Sequence, residues 1–206
     1  MNLEKFKKVL SAKIEPEFFY GIDFIDKMIK DLDLEKNSKI LDIGTGFGIM
    51  AIILALNGFD VLTGEPEEDP ERDDWEHHES HQGSLGSNWR EFAKAVGVDI
   101  KIKYQYFDAQ YLPFPDESFN GIFMYDTLQH VQNREVALKE CIRVLKHDGV
   151  IGVIEWTEKQ IEKDYKKYGF KLDFIDPKAI IRRDDVSIEK LKGELVNIYL
   201  LRKSIS

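Results

Sequence analysis

The chain has 206 residues, room for one ordinary domain or for one domain with a small cap. Hydrophobic residues at 43% and aromatics at 12% supply a real core and exclude general disorder. The net charge of −9 is concentrated: residues 65–79 hold nine acids and one arginine, a net of −8, which leaves −1 for the rest of the chain.

A single cysteine, Cys141, excludes an intramolecular disulfide and a Cys-based zinc site, and fits a reducing cytosol. The opening stretch MNLEKFKKVL is charged and amphipathic, unlike a signal peptide, and the longest apolar run, 49–56, is too short to cross a bilayer. The expectation is a soluble cytoplasmic protein without membrane contact.

Short β-branched runs alternate with helix-length segments, which predicts βαβ units and a mostly parallel sheet. Residues 1–37 read as a helical cap, especially 16–34, where Phe18, Ile22, Ile25 and Ile29 recur at helical spacing. A strand at 39–43 runs into a glycine-rich turn, a helix covers 47–57 with Gly58 as its left-handed stop, and a second strand follows at 60–63. After the acidic segment come a helix at 88–96, a strand at 100–107 and a Pro-containing loop at 111–118. A buried strand at 121–125 precedes a helix capped by Asn133 that runs to Leu145 and is stopped by Gly149. Strand 150–156 leads into a helix whose Thr157 and Gln160 read as a capping box. Strands at 170–175 and 194–201, joined by a charged connection, are expected to close the sheet as an antiparallel hairpin. The whole describes a single α/β domain, a Rossmann-like doubly wound sheet of about seven strands with helices on both faces.

The turn Asp42-Ile43-Gly44-Thr45-Gly46-Phe47-Gly48 follows a strand and opens a helix. There, glycines allow a tight turn and let a ligand approach the main chain. Ile49 occupies the place where a dinucleotide fingerprint needs its third glycine, which disfavours a nicotinamide dehydrogenase. Together with later landmarks, this turn resembles motif I of the class I S-adenosylmethionine (SAM)-dependent methyltransferases, over about residues 15–202. The landmarks are Glu65 ending the second strand, Asp108-Ala109 after the third, 112–119 entering the fourth, Tyr125-Asp126-Thr127-Leu128-Gln129-His130-Val131 leaving it, and 143–149 before the fifth.

The resemblance implies SAM as cofactor and methyl transfer by in-line displacement to a small-molecule acceptor. It implies a cofactor site made of Asp42, Gly44, Thr45, Gly46 and Gly48, with Glu65 on the ribose hydroxyls and Asp108 and Ala109 on the adenine. Tyr125 and Tyr20 are expected at the cofactor's methionine part. Asp126 and His130 are the candidates for deprotonating an acceptor; the alternatives are that His130 caps or packs at the base of its loop and that Asp126 binds the SAM ammonium or caps a turn. A [D/N]-P-P-[Y/F] motif is absent after the fourth strand and there is no basic stripe, which argues against a nucleic-acid substrate. A SAM-binding sensor or partner subunit without catalysis is the alternative reading, and the oligomeric state stays open.

Residues 66–87 depart from the family as an inserted acidic segment with Trp75, His77, His78 and His81. His77 and His81 would share a face if helical, a zinc-like spacing. A metal site, a substrate lid and an incidental polar insertion are the three readings. As a lid, its acidic rim favours a cationic or amine-bearing acceptor.

Overall fold

The computed structural model describes residues 2–12, 19, 21–66, 89–169 and 172–204. Helix α1 (Asn2–Ser11) buries Phe6 and Leu10, one turn apart, and α2 (Ile22–Asp31) buries Ile22, Ile25, Met28 and Ile29 along one stripe. Strand β1 (Lys39–Ile43) leads into α3 (Ile49–Leu56), whose first seven residues are all buried. Strand β2 (Asp60–Gly64), α4 (Trp89–Val96) and β3 (Ile102–Tyr104) complete the first half. The second half runs β4 (Phe119–Tyr125), α5 (Arg134–Val144), β5 (Leu145–Trp156), α6 (Glu158–Tyr168), α7 (Pro177–Ile180), β6 (Val186–Lys192) and β7 (Val196–Lys203).

The seven strands form one sheet in the order β3-β2-β1-β4-β5-β7-β6. β1 pairs in parallel with both β2 and β4, and β7 lies antiparallel between β5 and β6. The order in which successive strands are added therefore reverses between β1 and β4, while their direction stays parallel, which makes a switch point at whose carboxyl end open α/β sheets bind ligands. Alternation along the strands divides the interior in two. Phe123, Ile154 and Ile198 face α1–α4, while Ile122, Val153 and Tyr199 face α5 and the loops beside it.

Several expected elements shift. The helix expected at 16–34 begins at Ile22, behind a left-handed Gly21. The third strand is shorter than 100–107: a 3-10 turn, Asp99–Lys101, precedes it and pairing ends at Tyr104. Gly149 does not stop α5; the helix ends at Val144 and Leu145 is already extended, pairing with Phe119. Pairing then resumes at Val150 with Gly121, so the expected turn is an irregularity inside β5. The capping box is half made. Thr157 accepts from the Gln160 N–H at 3.2 Å, but the Gln160 side chain donates to Asp164 at 2.8 Å and the Thr157 N–H is taken by the Leu195 carbonyl.

The largest difference lies at the sheet edge. No strand forms over 172–175, Phe170 and Lys171 lie outside the described residues, and β6 comes from the stretch expected to be a charged connection. An edge strand stays partly wet on both faces: Glu189 and Lys192 are exposed, and Lys190 lies half-buried over the Tyr199 ring. Asn133 caps α5 through Val136 N–H at 3.2 Å, and Gly58 is left-handed after α3, both as expected.

Candidate functional site

The β1–α3 turn sits at the switch point with Gly44, Gly46 and Gly48 all at positive φ (87°, 44° and 71°). Gly44 and Gly48 are also confined: a Cβ on Gly44 would lie 2.3 Å from Thr127 Oγ1, and one on Gly48 would lie 2.8 Å from Trp89 Cβ. Gly46 differs, with no atom of the described residues within 4 Å of that position, so among them its side of the loop is open to a ligand. Its N–H donates to Glu65 Oε2 at 3.2 Å, which ties the end of β2 to the crest of the turn.

Beneath the turn lies a buried polar chain. Thr63 Oγ1 donates to Asp42 Oδ2 at 2.8 Å and lies 2.9 Å from Thr45 Oγ1, and all three residues are buried. Asp42 Oδ1 is buried and has no hydrogen-bond partner among the described residues. Burial pushes the Asp42 carboxyl up to about 8, the Glu65 charge adds to this, and the Thr63 bond opposes it. A desolvated carboxyl with one orphaned oxygen is suited to a cationic ligand group, which would return it to its charged form.

Asp108 follows β3 and is engaged within its own loop. Its Oδ1 accepts from the Gln110 N–H at 2.8 Å, and the Gln110 side-chain amide reaches both carboxylate oxygens at 3.2 Å. Ala109 is buried beside it. On the other flank, Tyr125 ends β4, half-buried, with its ring 6.3 Å from that of Trp156. Burial raises the Tyr125 hydroxyl further above its ordinary value, so it stays protonated.

Asp126 takes the left-handed conformation, φ 53°, which asparagine and aspartate tolerate better than most residues. Its Oδ1 accepts from Trp156 Nε1 at 2.6 Å and from the Gln129 side-chain amide. Desolvation pushes this carboxyl up to about 7, against the lowering effect of both donors. His130 closes a 3-10 turn, Leu128–His130, and is exposed; no hydrogen bond joins it to Asp126 among the described residues. Partial burial and the nearby Arg134 charge lower its pKa, so it is neutral at neutral pH.

Asp42, Gly44, Thr45, Gly46, Gly48 and Glu65 are thus brought together at one end of the sheet, with Tyr125 and Asp126 ending the neighbouring β4. Tyr20 and the histidines 77, 78 and 81, like the rest of 67–88, lie outside the described residues. Among the described residues no cluster of His, Cys, Asp and Glu could hold a metal ion, and no helix is long and apolar enough to cross a membrane.

Sequence reasoning missed Thr63, Thr127 and Glu155. Thr127 Oγ1 contacts the Ile43 and Tyr125 carbonyls, each at 3.0 Å, and joins the two strand ends. Glu155, 2% exposed, accepts from Leu128 N–H at 2.8 Å. An acid at the end of the apolar run 150–154 was the available signal.

A mostly parallel sheet whose strand order reverses at β1/β4, a glycine turn over that switch point and an acid at the end of β2 define a Rossmann-like fold. Residues 41–153 match the family model described as a methyltransferase domain, and the chain belongs to that family. It is 39% identical over 79 residues to the ubiquinone/menaquinone biosynthesis C-methyltransferase UbiE of Saccharophagus degradans, covering 37% of this chain and 32% of that one. It is 24% identical over 148 residues to the methyltransferase GfsG of Streptomyces halstedii, covering 70% and 47%. The chain therefore spans about a third to a half of the length of these relatives. Among solved structures, the PH0226 protein of Pyrococcus horikoshii superposes with a TM-score of 0.66 at 17% identity over 92% of each chain, a likeness of fold.

Proposed function

We propose that the chain binds SAM over the β1–α3 turn and transfers its methyl group to a small-molecule acceptor held beside the end of β4. The observation that carries this reading is the buried Asp42 Oδ1, unpartnered among the described residues under an open glycine crest, an acceptor that fits a cationic amino-acid moiety. Bound there, SAM supplies a methyl group already activated on a sulfonium.

The turn at 44–48 receives the ligand on its main chain. Glu65 accepts from the two ribose hydroxyls, since a carboxylate can take both hydrogen bonds of a vicinal diol. Asp108 and Ala109 border the adenine, with Asp108 exchanging part of its bonding to Gln110 for the exocyclic amine. Tyr125 packs on the methionine part. Holding donor and acceptor in line supplies much of the acceleration, so the chain needs no nucleophile of its own.

Asp126 is positioned to accept a proton, with a pKa of about 7 that leaves it partly ionised at neutral pH. His130, neutral and exposed, is the secondary candidate. The acidity of 65–79 favours a cationic or amine-bearing acceptor over a phosphorylated one. UbiE is named for carbon methylation in quinone biosynthesis, so phenols and quinols are the competing acceptors.

Incubating the protein with methyl-labelled SAM and small-molecule extracts, with label followed by mass spectrometry, tests this reading. Labelled product and S-adenosylhomocysteine are expected. Tight S-adenosylhomocysteine binding with no labelled product across broad extracts would favour the sensor reading instead.

A further inference from the structure

The end of β5 grips the turn after β4 from both faces of the sheet. Successive strand residues point to opposite sides, so Glu155 and Trp156 reach the same turn by different routes. Glu155, on the α5 side, takes the backbone N–H groups of Leu128, at 2.8 Å, and Thr127. It thereby caps the 3-10 turn that follows Asp126. Trp156, 7% exposed and packed in the opposite core, sends its indole N–H to Asp126 Oδ1. Between these two contacts the Asp126 N–H donates to the Ile154 carbonyl at 2.9 Å.

Asp126 is therefore fixed at its backbone and at one carboxylate oxygen. That oxygen also accepts from Gln129, and its acceptor capacity is directed inward. Oδ2 accepts no hydrogen bond among the described residues and is not one of the buried orphaned atoms. A left-handed aspartate whose rotamer is locked through one oxygen presents the other in a fixed direction. Such preorganisation is what a ligand-orienting group requires.

We propose that Glu155 and Trp156 are positioning residues that hold Asp126 so that its Oδ2 receives an N–H or O–H of the methyl acceptor, which restricts acceptors to protic amines and hydroxyls. This inference rests on the methyl-transfer reading. The family match, 41–153, includes Asp126 and its turn but ends before Glu155 and Trp156, so the two positioning residues lie outside the segment that identifies the family. Glu155 acts through the turn it caps and Trp156 through Asp126 itself; neither is assigned a contact with the acceptor.

The test uses Trp156→Phe, Asp126→Asn, the double variant and Glu155→Gln in the full chain. Asparagine keeps the left-handed backbone while removing the charge and replacing one acceptor oxygen with an N–H donor, so it separates chemistry from strain. The indole N–H resonance assigned by its loss in Trp156→Phe is expected to move in Asp126→Asn. With methyl-labelled SAM and a panel of primary amines, phenols and quinols, Trp156→Phe is expected to lower kcat/KM for the acceptor by about 10- to 100-fold, the loss of one charge-assisted bond. S-adenosylhomocysteine affinity should stay within about twofold, and the double variant should be no worse than Asp126→Asn alone, because both changes act on one carboxylate. Glu155→Gln should follow Trp156→Phe in direction, also with S-adenosylhomocysteine binding retained.

Additive losses in the double variant, or a parallel fall in S-adenosylhomocysteine binding and turnover, would reduce the clamp to core packing and overturn the proposal. An active wild type with unimpaired Trp156→Phe overturns the clamp alone. A wild type that labels nothing in the panel overturns the methyl-transfer reading and the clamp with it.

Discussion

Along β1 the site presents main chain, and along β4 it presents side chains. The glycine turn needs three residues without a Cβ and an acid from β2 to receive one of its N–H groups. The turn after β4 needs a carboxylate in an uncommon backbone conformation, two N–H donors to orient it, and a buried acid from β5 to cap it. A main-chain surface is specified by backbone geometry and accepts the same ligand in many sequence contexts. A side-chain surface depends on what packs around it and can differ between relatives sharing a fold. On the proposed function, the β1 side serves the shared cofactor and the β4 side the individual acceptor.

The sharpest way to break this comparison is to place a methyl group on the turn. Gly44→Ala would set its Cβ 2.3 Å from Thr127 Oγ1 and 2.7 Å from Cγ2, at φ 87°. Overpacking and left-handed strain together should destabilise the fold by about 2–4 kcal/mol, seen in a denaturant titration. Gly46→Ala meets no atom of the described residues within 4 Å, so about 1 kcal/mol of backbone strain is expected. If main chain is the binding surface, both variants lose S-adenosylhomocysteine affinity in calorimetry while only the first loses much stability. Normal affinity in Gly46→Ala would show that the crest is not where the ligand lies.

Glu65 gives the next largest effect. Its carboxylate meets the glycine turn at Gly46, so Glu65→Gln should weaken S-adenosylhomocysteine binding by about 10- to 100-fold with little change in unfolding midpoint. Asp108→Asn should do less, because Gln110 already occupies both oxygens of that carboxylate.

The same contrast explains what could be read in advance. The motif from Asp42 to Gly48 and the acid at Glu65 were legible because glycine spacing after a strand carries its own geometry. β1, α3, α4 and the Asn133 cap were legible from short-range pattern, and the order of alternating elements implied the parallel half of the sheet. What failed was decided by tertiary pairing. The 186–192 stretch reads as a charged connection because an edge strand hides only part of its surface. Residues 146–149 contain a glycine-ended turn signal, yet Leu145 and Val150 both pair with β4 and draw it into β5. Glu155 was overlooked because its partners, the backbone N–H groups of Thr127 and Leu128, have no signature in sequence.

The smallest expected effect, the pH dependence of stability, sharpens the comparison because each half holds its own displaced carboxyls. Asp42 on the β1 side is pushed up to about 8; Asp126 and Glu155 on the β4–β5 side are pushed up to about 7 and about 8, all chiefly by desolvation. With each folded pKa above its unfolded value, the native state binds more protons than the unfolded chain between about pH 4 and pH 8. Stability from these groups is therefore full below about pH 4, falls as pH rises through that window, and levels off above pH 8. His130 works the other way, since its lowered pKa makes stability rise with pH near 6.5, but it is a single exposed group. Glu140 and Asp185, lowered by Arg143 and Arg183, act only at more acid pH. The melting temperature should accordingly be higher at pH 6 than at pH 8 by at least about 3 °C. Saturating S-adenosylhomocysteine should remove the Asp42 share of this slope, because a cation beside Oδ1 restores its charge, while Glu155→Gln should remove the share of the β5 end. A slope that disappears with the ligand alone would place all the displaced protons on the main-chain side, and one untouched by the ligand would place them beneath the side-chain surface.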